Sequence, residues 1–328
     1  VKIVNFELNP NEDVSIYQTG HCGGTCFSRY AKEILNRNCD EFWIIGQQNN
    51  FKNIKPDERK DRILVVNSDT IEALKLGYPI SQFGAFFNDV DIVIHNYGDI
   101  SLNLIGLKAK QVCWYSFVNQ THQPNTPYCF VYSRDQNVRI QPNTKIFDVK
   151  IGKPVKKDFR PTVREDFIFQ CTRNDDPMDT ITTAKLCQKY GIKGYFGGPI
   201  LNNYPLLNYI DNINTFYLGC LTEEQKLNWS SRARLYTCIQ NWDTIFSLSA
   251  IEALGQGTPI IARNRGCFKY LINDSNGFFF KNDDDFLNAY QNSVKIDQNN
   301  CYNKALEYSE IEMVNSFYKN FELILRKE

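Results

Sequence analysis

The chain has 328 residues, 42% of them hydrophobic and 23% charged, and 37 basic side chains against 37 acidic ones leave no net charge at pH 7. That length suggests two domains of ~100–200 residues each, and the charge balance argues against a protein built mainly to grip nucleic-acid phosphates. Eleven cysteines, an odd number without a repeated spacing, argue against a secreted disulfide framework and for reduced thiols in a cytoplasmic setting.

In chain order, VKIVNF, EFWIIG, RILVVN, DIVIHN and QVCWYSF read as buried strands. Between the first two lies HCGGTCFSRYAKEIL, in which Phe27, Tyr30, Ala31 and Ile34 recur at helical spacing. His21, Cys22 and Cys26 are possible metal ligands, but nothing near them completes a tetrahedral set, so no metal is expected. Around residues 151–165 the segment IGKPVKKDFRPTVRE is rich in Pro, Lys and Arg, lacks apolar periodicity and reads as an interdomain connection.

The alternation then restarts: DFIFQC, a helix over ITTAKLCQKYG, IKGYFGG, NTFYLG, a helix over EEQKLNWSSR, RLYTCI, GTPIIA and GFFF, followed by two helix-like tail segments. Strands alternating with helices predict parallel sheets with helices on both faces. The expected fold class is α/β, with two Rossmann-like domains facing across a cleft. The expected boundaries are 1–155 for the first domain, with a C-terminal helix at ~310–328 packing back on it, and 156–309 for the second. No apolar run is long enough to cross a bilayer.

The stretch IFSLSAIEALGQGTPIIARNRG, Ile245 to Gly266, carries a single carboxylate, Glu252, in an apolar setting. Leu248, Ile251 and Leu254 would pack on the sheet, with Glu252 off that stripe. Two readings stay open from the residues alone. Ser249 and Glu252 match a capping box, in which the glutamate only satisfies a backbone N–H. Alternatively, a carboxylate there can accept ribose hydroxyls, beside a helix start whose N–H groups suit a phosphate.

The surroundings add a resemblance. W-D-T-I-F-S-L-S-A-I-E-A-L-G-Q-G-T-P-I-I-A, then R-G-C and N-D-S-N-G-F-F-F, resembles the donor-nucleotide segment of retaining GT-B glycosyltransferases of family four. F-Y-L-G-C-L-T-E-E-Q-K and D-F-I-F-Q-C-T-R resemble its base-loop and phosphate-arginine segments. The likeness is strong over roughly residues 165–280 and weaker before them. It implies that Glu252 holds the ribose. It also implies that Phe246, Ser247, Leu248 and Ser249 offer N–H groups to a diphosphate, that Arg173 neutralises that group as it departs, and that Leu221 neighbours the base. Gly23 and Gly24 would let backbone approach the phosphate or acceptor closely. His95 and Tyr115 are secondary acceptor or sugar candidates, with a core role open for each.

Two positions depart from the family pattern. The first acid of the family's pair falls on Thr244, with Asp243 beside it as a substitute, and the expected phosphate lysine falls on Met178. Arg263, Arg265 or Lys269 could supply the missing cation. The resemblance implies a sugar transferase with a nucleotide-diphosphate sugar (UDP or GDP) as co-substrate, retention of configuration, and no metal or other cofactor. The acceptor would be a hydroxyl of a glycan, glycoprotein or other molecule, with nucleic acid not expected as a partner. The alternatives are a GT-B-like protein that binds nucleotide sugar or glycan without turnover and, less favoured, a nucleotide-sugar epimerase.

Overall fold

The computed structural model describes residues 1–7, 41–47, 59–60, 63–66, 69, 89–96, 109–114, 127–131 and 144–326. The chain divides into two compact units, Val1–Gly152 with Glu310–Glu328, and Lys153–Ser309.

The first unit holds strands β1 (Lys2–Glu7), β2 (Glu41–Gln47), β3 (Arg59–Lys60), β4 (Ile63–Val66), β5 (Ile92–Asn96), β6 (Lys110–Trp114), β7 (Tyr128–Val131) and β8 (Lys145–Asp148). They form one sheet in the order β3-β4-β2-β1-β5-β6-β7-β8. Every pairing is parallel except the short antiparallel β3–β4 edge. Ile3, Val4, Ile92, Val93, Ile94, Val112, Cys129 and Phe130 are all fully buried, as expected of parallel strands covered on both faces.

The five runs predicted as strands become β1, β2, β4, β5 and β6. β7 and β8, each four residues long, were not predicted. The predicted helix at residues 27–35, with Gly23 and Gly24 before it and Tyr115 after β6, lies outside the described residues.

The second unit contains β9 (Glu165–Cys171), α1 (Thr180–Tyr190), β10 (Lys193–Gly197), β11 (Thr215–Tyr217), α2 (Glu223–Arg232), β12 (Ala233–Cys238), α3 (Leu248–Gly255), β13 (Ile260–Arg263), α4 (Phe268–Leu271), β14 (Gly277–Phe280), α5 (Asp283–Asn292) and α6 (Gln298–Leu306). All strand pairings are parallel, in the order β11-β10-β9-β12-β13-β14. Numbered from β9, that order is 3-2-1-4-5-6, the doubly wound arrangement of dinucleotide-binding sheets.

Period-2 alternation splits this core into two clusters. Phe167, Phe169, Cys171, Tyr236, Cys238, Ile260 and Ala262 face one way with Ala250, Ile251, Leu254 and Ala305. Ile168, Leu235, Ile261 and Phe280 face the other with Ala184, Leu186, Phe286 and Ala289. Helices α3 and α6 therefore cover one face, and α1 and α5 the other.

Helix α7 (Glu310–Leu325) belongs to the first unit. Its Phe317 and Phe321 rings sit 5.5 and 5.8 Å from Phe130 of β7, and Asn320 Nδ2 donates to the Asp148 carbonyl at 2.8 Å.

The segment read as a plain connection is instead bound along its length to the second unit. The Lys153 N–H donates to the Tyr308 carbonyl at 3.0 Å, and Phe159 stacks on Tyr302 at 4.5 Å. Arg164 donates to the carbonyls of Ser293 and Gly257 at 2.9 and 2.6 Å. It lacks apolar periodicity because its contacts are isolated anchors rather than one face of a regular element.

Candidate functional site

In the 3-2-1-4-5-6 order, connections from the two central strands, β9 and β12, leave in opposite directions. A crevice opens between them at the carboxyl edge of the sheet. The loop after β9 carries Arg173 and the loop after β12 carries Trp242. The two meet, with Arg173 Cζ 5.4 Å above the indole ring, a cation–π contact. Arg173 Nε also pairs with Asp175 at 2.9 Å, while its side chain remains 44% exposed.

The β9 loop is fixed from below. Asn174 is buried, its Nδ2 donating to the carbonyls of Gly198 and Gly197 at 3.0 and 3.2 Å, and its Oδ1 accepting from the Thr180 hydroxyl at 2.9 Å. Gly198, at the end of β10, has φ +103°, and a Cβ there would stand 1.9 Å from the Thr172 carbonyl oxygen. Only glycine allows that approach.

Helix α3 starts at the same edge. Its N-cap is Ser247, whose hydroxyl accepts from the Ala250 N–H at 3.4 Å. This corrects the capping box read from Ser249 and Glu252: the helix begins two residues earlier, so Glu252 lies too deep in it to cap. Leu248 and Ser249 are the first two helical residues, and their N–H groups have no intrahelical acceptor. Phe246 packs toward Tyr308, with ring centroids 5.7 Å apart. Leu221 lies over Gly197, where an added Cβ would come within 3.0 Å of its Cδ1.

Glu252 is not on an open face either. Residues 250–255 of α3 are all buried, and the Glu252 side chain is 6% exposed. Its Oε1 meets Lys153 Nζ at 2.5 Å and its Oε2 meets Lys226 Nζ at 2.8 Å. Burial pushes its pKa up, but the two ammonium groups outweigh burial and hold the carboxyl below its ordinary range. Neither lysine was singled out from sequence. Lys226 sits in the first turns of α2, four residues after its Thr222 N-cap, and Lys153 sits in the supposed connection. A buried acid in an apolar helix demands a cation, and that demand was the available signal.

Thr244 is buried, and its hydroxyl donates to the Phe246 carbonyl at 3.2 Å. Its own carbonyl accepts from the Cys267 N–H at 2.8 Å, across a turn in which Gly266 has φ +52°. Thr244 thus organises its loop. Asp243, beside it, is exposed and pairs with Arg265 at 3.0 Å, and the hydrogen bond from that guanidinium lowers its pKa. Met178, where the resemblance would place a lysine, is the buried last residue of a short 3-10 turn, Asp176–Met178.

Of the cations suggested as replacements, Arg263 pairs with Asp179 at 3.2 Å and lies over the Phe280 ring, and Arg265 is held by Asp243 and the Asn241 carbonyl. Lys269 is exposed on α4. His95, in the first unit, is buried on β5 opposite Phe6 and Cys113. Cys171, Cys238 and Cys267, close to this edge, are free thiols, and burial raises all three, Cys171 and Cys267 to about 12.

No protein-family model and no curated protein matches the sequence. Solved structures do match it. A glycosyltransferase from Rickettsia africae ESF-5 superposes with a TM-score of 0.74 at 14% identity over 100% of both chains. HepE of Anabaena, in complex with UDP, gives 0.71 at 10% identity over 98% of this chain and 100% of that one. An alpha-glucosyltransferase in complex with UDP-glucose and DNA containing an abasic site gives 0.66 at 12% identity over 99% of each.

The chain has the GT-B fold. At these identities the likeness is one of fold. Among the described residues, no helix is long and apolar enough to cross a membrane.

Proposed function

We propose that this GT-B chain is a glycosyltransferase that moves a sugar from a nucleotide-diphosphate donor to an acceptor hydroxyl with retention of anomeric configuration. One observation carries the reading: Arg173, Trp242 and the start of α3 all lie on loops of the carboxyl edge where β9 and β12 diverge. That is where open α/β sheets hold their ligands. In this reading Arg173 and the N–H groups of Leu248 and Ser249 receive the diphosphate, supplying as fixed charges and dipoles what a metal supplies elsewhere. Glu252, 6% exposed and paired with Lys153 and Lys226, accepts the ribose hydroxyls in this reading through the lone pairs those contacts leave, with Leu221 on the base side.

The acceptor hydroxyl attacks the anomeric carbon on the face from which the diphosphate departs. Its oxygen–carbon bond forms as the carbon–phosphate-oxygen bond breaks, and its proton passes to the leaving phosphate oxygen. Glycans, glycoproteins and, given the DNA-bound fold neighbour, nucleic acids all belong in the acceptor panel.

The test is release of UDP or GDP from nucleotide sugars. Arg173→Ala is expected to lower turnover about 100-fold or more in protein that remains folded, the scale of a removed oxyanion donor. Unchanged turnover would sink the assignment. A second reading, a binding protein without turnover, draws support from Thr244, whose hydroxyl is committed to the Phe246 carbonyl, and from Met178. Calorimetric binding of a nucleotide sugar, with no transfer to any acceptor, would establish it.

A further inference from the structure

Arg173 is held at two points that belong to different loops. Asp175 pairs with it at Nε, 2.9 Å away, and the Trp242 ring lies 5.4 Å from Cζ. These two contacts engage Nε and one face of the guanidinium. They leave Nη1 and Nη2, with four N–H donors, to other partners on a side chain that is 44% exposed.

The two holding residues are themselves fixed. Asp175 is 7% exposed, and its second oxygen, Oδ1, accepts no hydrogen bond among the described residues. A buried carboxylate is stable as an anion only beside a cation, so Asp175 and Arg173 constrain each other. The Asp175 carbonyl accepts from the Met178 N–H at 3.0 Å, and the Asn174 N–H donates to the Pro199 carbonyl at 2.7 Å. On the other loop, Trp242 Nε1 donates to the buried Gln240 at 3.1 Å. The Asn241 N–H ties the loops together, donating to the Pro177 carbonyl at 2.8 Å. An arginine held in this way has less rotamer freedom left to lose when an anion binds.

We propose that Asp175 and Trp242 are positioning residues for Arg173, holding its guanidinium by Nε and by one face so that Nη1 and Nη2 take two oxygens of a diphosphate together. The proposal rests on the donor reading above. Charge alone predicts the opposite of positioning. Asp175 puts a negative charge beside a site for an anion, so by Coulomb repulsion its removal tightens anion binding. By positioning, its removal weakens binding.

The experiment titrates the full chain with inorganic pyrophosphate, UDP and GDP by calorimetry. Asp175→Asn, similar in size and uncharged, is expected to weaken pyrophosphate and nucleotide about 2- to 10-fold, the ordering cost of one long side chain. Trp242→Leu is expected to weaken both about 2- to 5-fold, the scale of an exposed cation–π contact, and Trp242→Phe to recover most of that loss. The deciding comparison repeats Asp175→Asn in an Arg173→Lys background. Lysine keeps a charge but has no Nε to hold, so there the loss disappears and pyrophosphate binds equally well or more tightly.

The positioning role is overturned if Asp175→Asn tightens pyrophosphate or leaves it unchanged. It is also overturned if the loss is the same in both backgrounds, the mark of a purely structural carboxylate. Should Asp175→Asn fail to fold, the Trp242 variants decide, and unaltered affinity in folded Trp242→Leu sinks the role. Nucleotide binding that is lost in Arg173→Ala but ignores Asp175→Asn and Trp242→Leu sinks positioning and leaves the donor reading. Pyrophosphate binding with the expected pattern, without nucleotide binding, sinks the donor reading and leaves the hold on Arg173. Nucleotide binding indifferent to Arg173→Ala overturns both.

Discussion

Glu252 is a buried carboxylate held by two ammonium groups. Its ion pairs add little net stability, because desolvating three charges cancels most of their attraction. Removing one member is another matter. Glu252→Ala takes the buried carboxylate away from both Lys153 and Lys226, and should cost about 3–5 kcal/mol, read as a lower urea midpoint with an unchanged slope.

The pH dependence has a definite sign. The folded pKa of Glu252 lies below its unfolded value, so its contribution is complete above ~4.3 and is lost as pH falls through the depressed folded pKa. Lys226 is raised, so its contribution is complete below ~10.4 and fades as pH rises through the higher folded pKa. The unaltered protein should therefore show an acid limb in its stability profile that Glu252→Ala flattens. An unchanged limb would mean that the carboxylate is already neutral in the fold.

At the level of elements, the carboxyl edge depends on close backbone approaches. In Gly198→Ala the new methyl would meet the Thr172 carbonyl at 1.9 Å, at a φ that L residues rarely adopt. The loop carrying Arg173 would have to move, so weaker nucleotide-diphosphate binding and a lower thermal midpoint are expected together. A variant with unaltered affinity would separate Arg173 from the ligand.

Long elements were legible in the sequence because pattern and length agreed. EEQKLNWSSR maps onto α2 residue for residue, and DFIFQC and RLYTCI each fall within a residue of β9 and β12. The cap of α3 stayed open in the sequence because Ser249 with Glu252 fits a capping box while Ser247, two residues earlier, is also a capping residue type. Backbone geometry chose Ser247, which no spacing rule could do. The partners of Glu252 were invisible for a different reason. Lys153 is 99 positions away in sequence, in a segment whose composition signals a linker, and only the fold returns it to α3. Arg173 was singled out only through the family resemblance of D-F-I-F-Q-C-T-R, and its contact with Trp242 belongs to the strand order rather than to either segment.

At the scale of the molecule, the two units are not two successive stretches of chain. The first is finished by α7, whose Met313, Val314, Phe317, Phe321 and Ile324 are buried. Each such side chain is worth about 1.5–3 kcal/mol on burial, together on the scale of a whole domain's stability of about 5–15 kcal/mol. Deleting residues 310–328 is therefore expected to abolish one calorimetric transition and leave the other. Limited proteolysis should then stop at a core beginning near Lys153. Two persisting transitions would show that α7 is dispensable.

The bridge between Lys153 and Ser309 places the entrance and exit of the second unit side by side. Such a unit is an insertion, and a ribosome finishes it before the host sheet has received α7. The segment encoded in the middle can thus mature while the one begun earlier still waits. An early, folded passenger inside an incomplete carrier is the order of assembly this topology dictates.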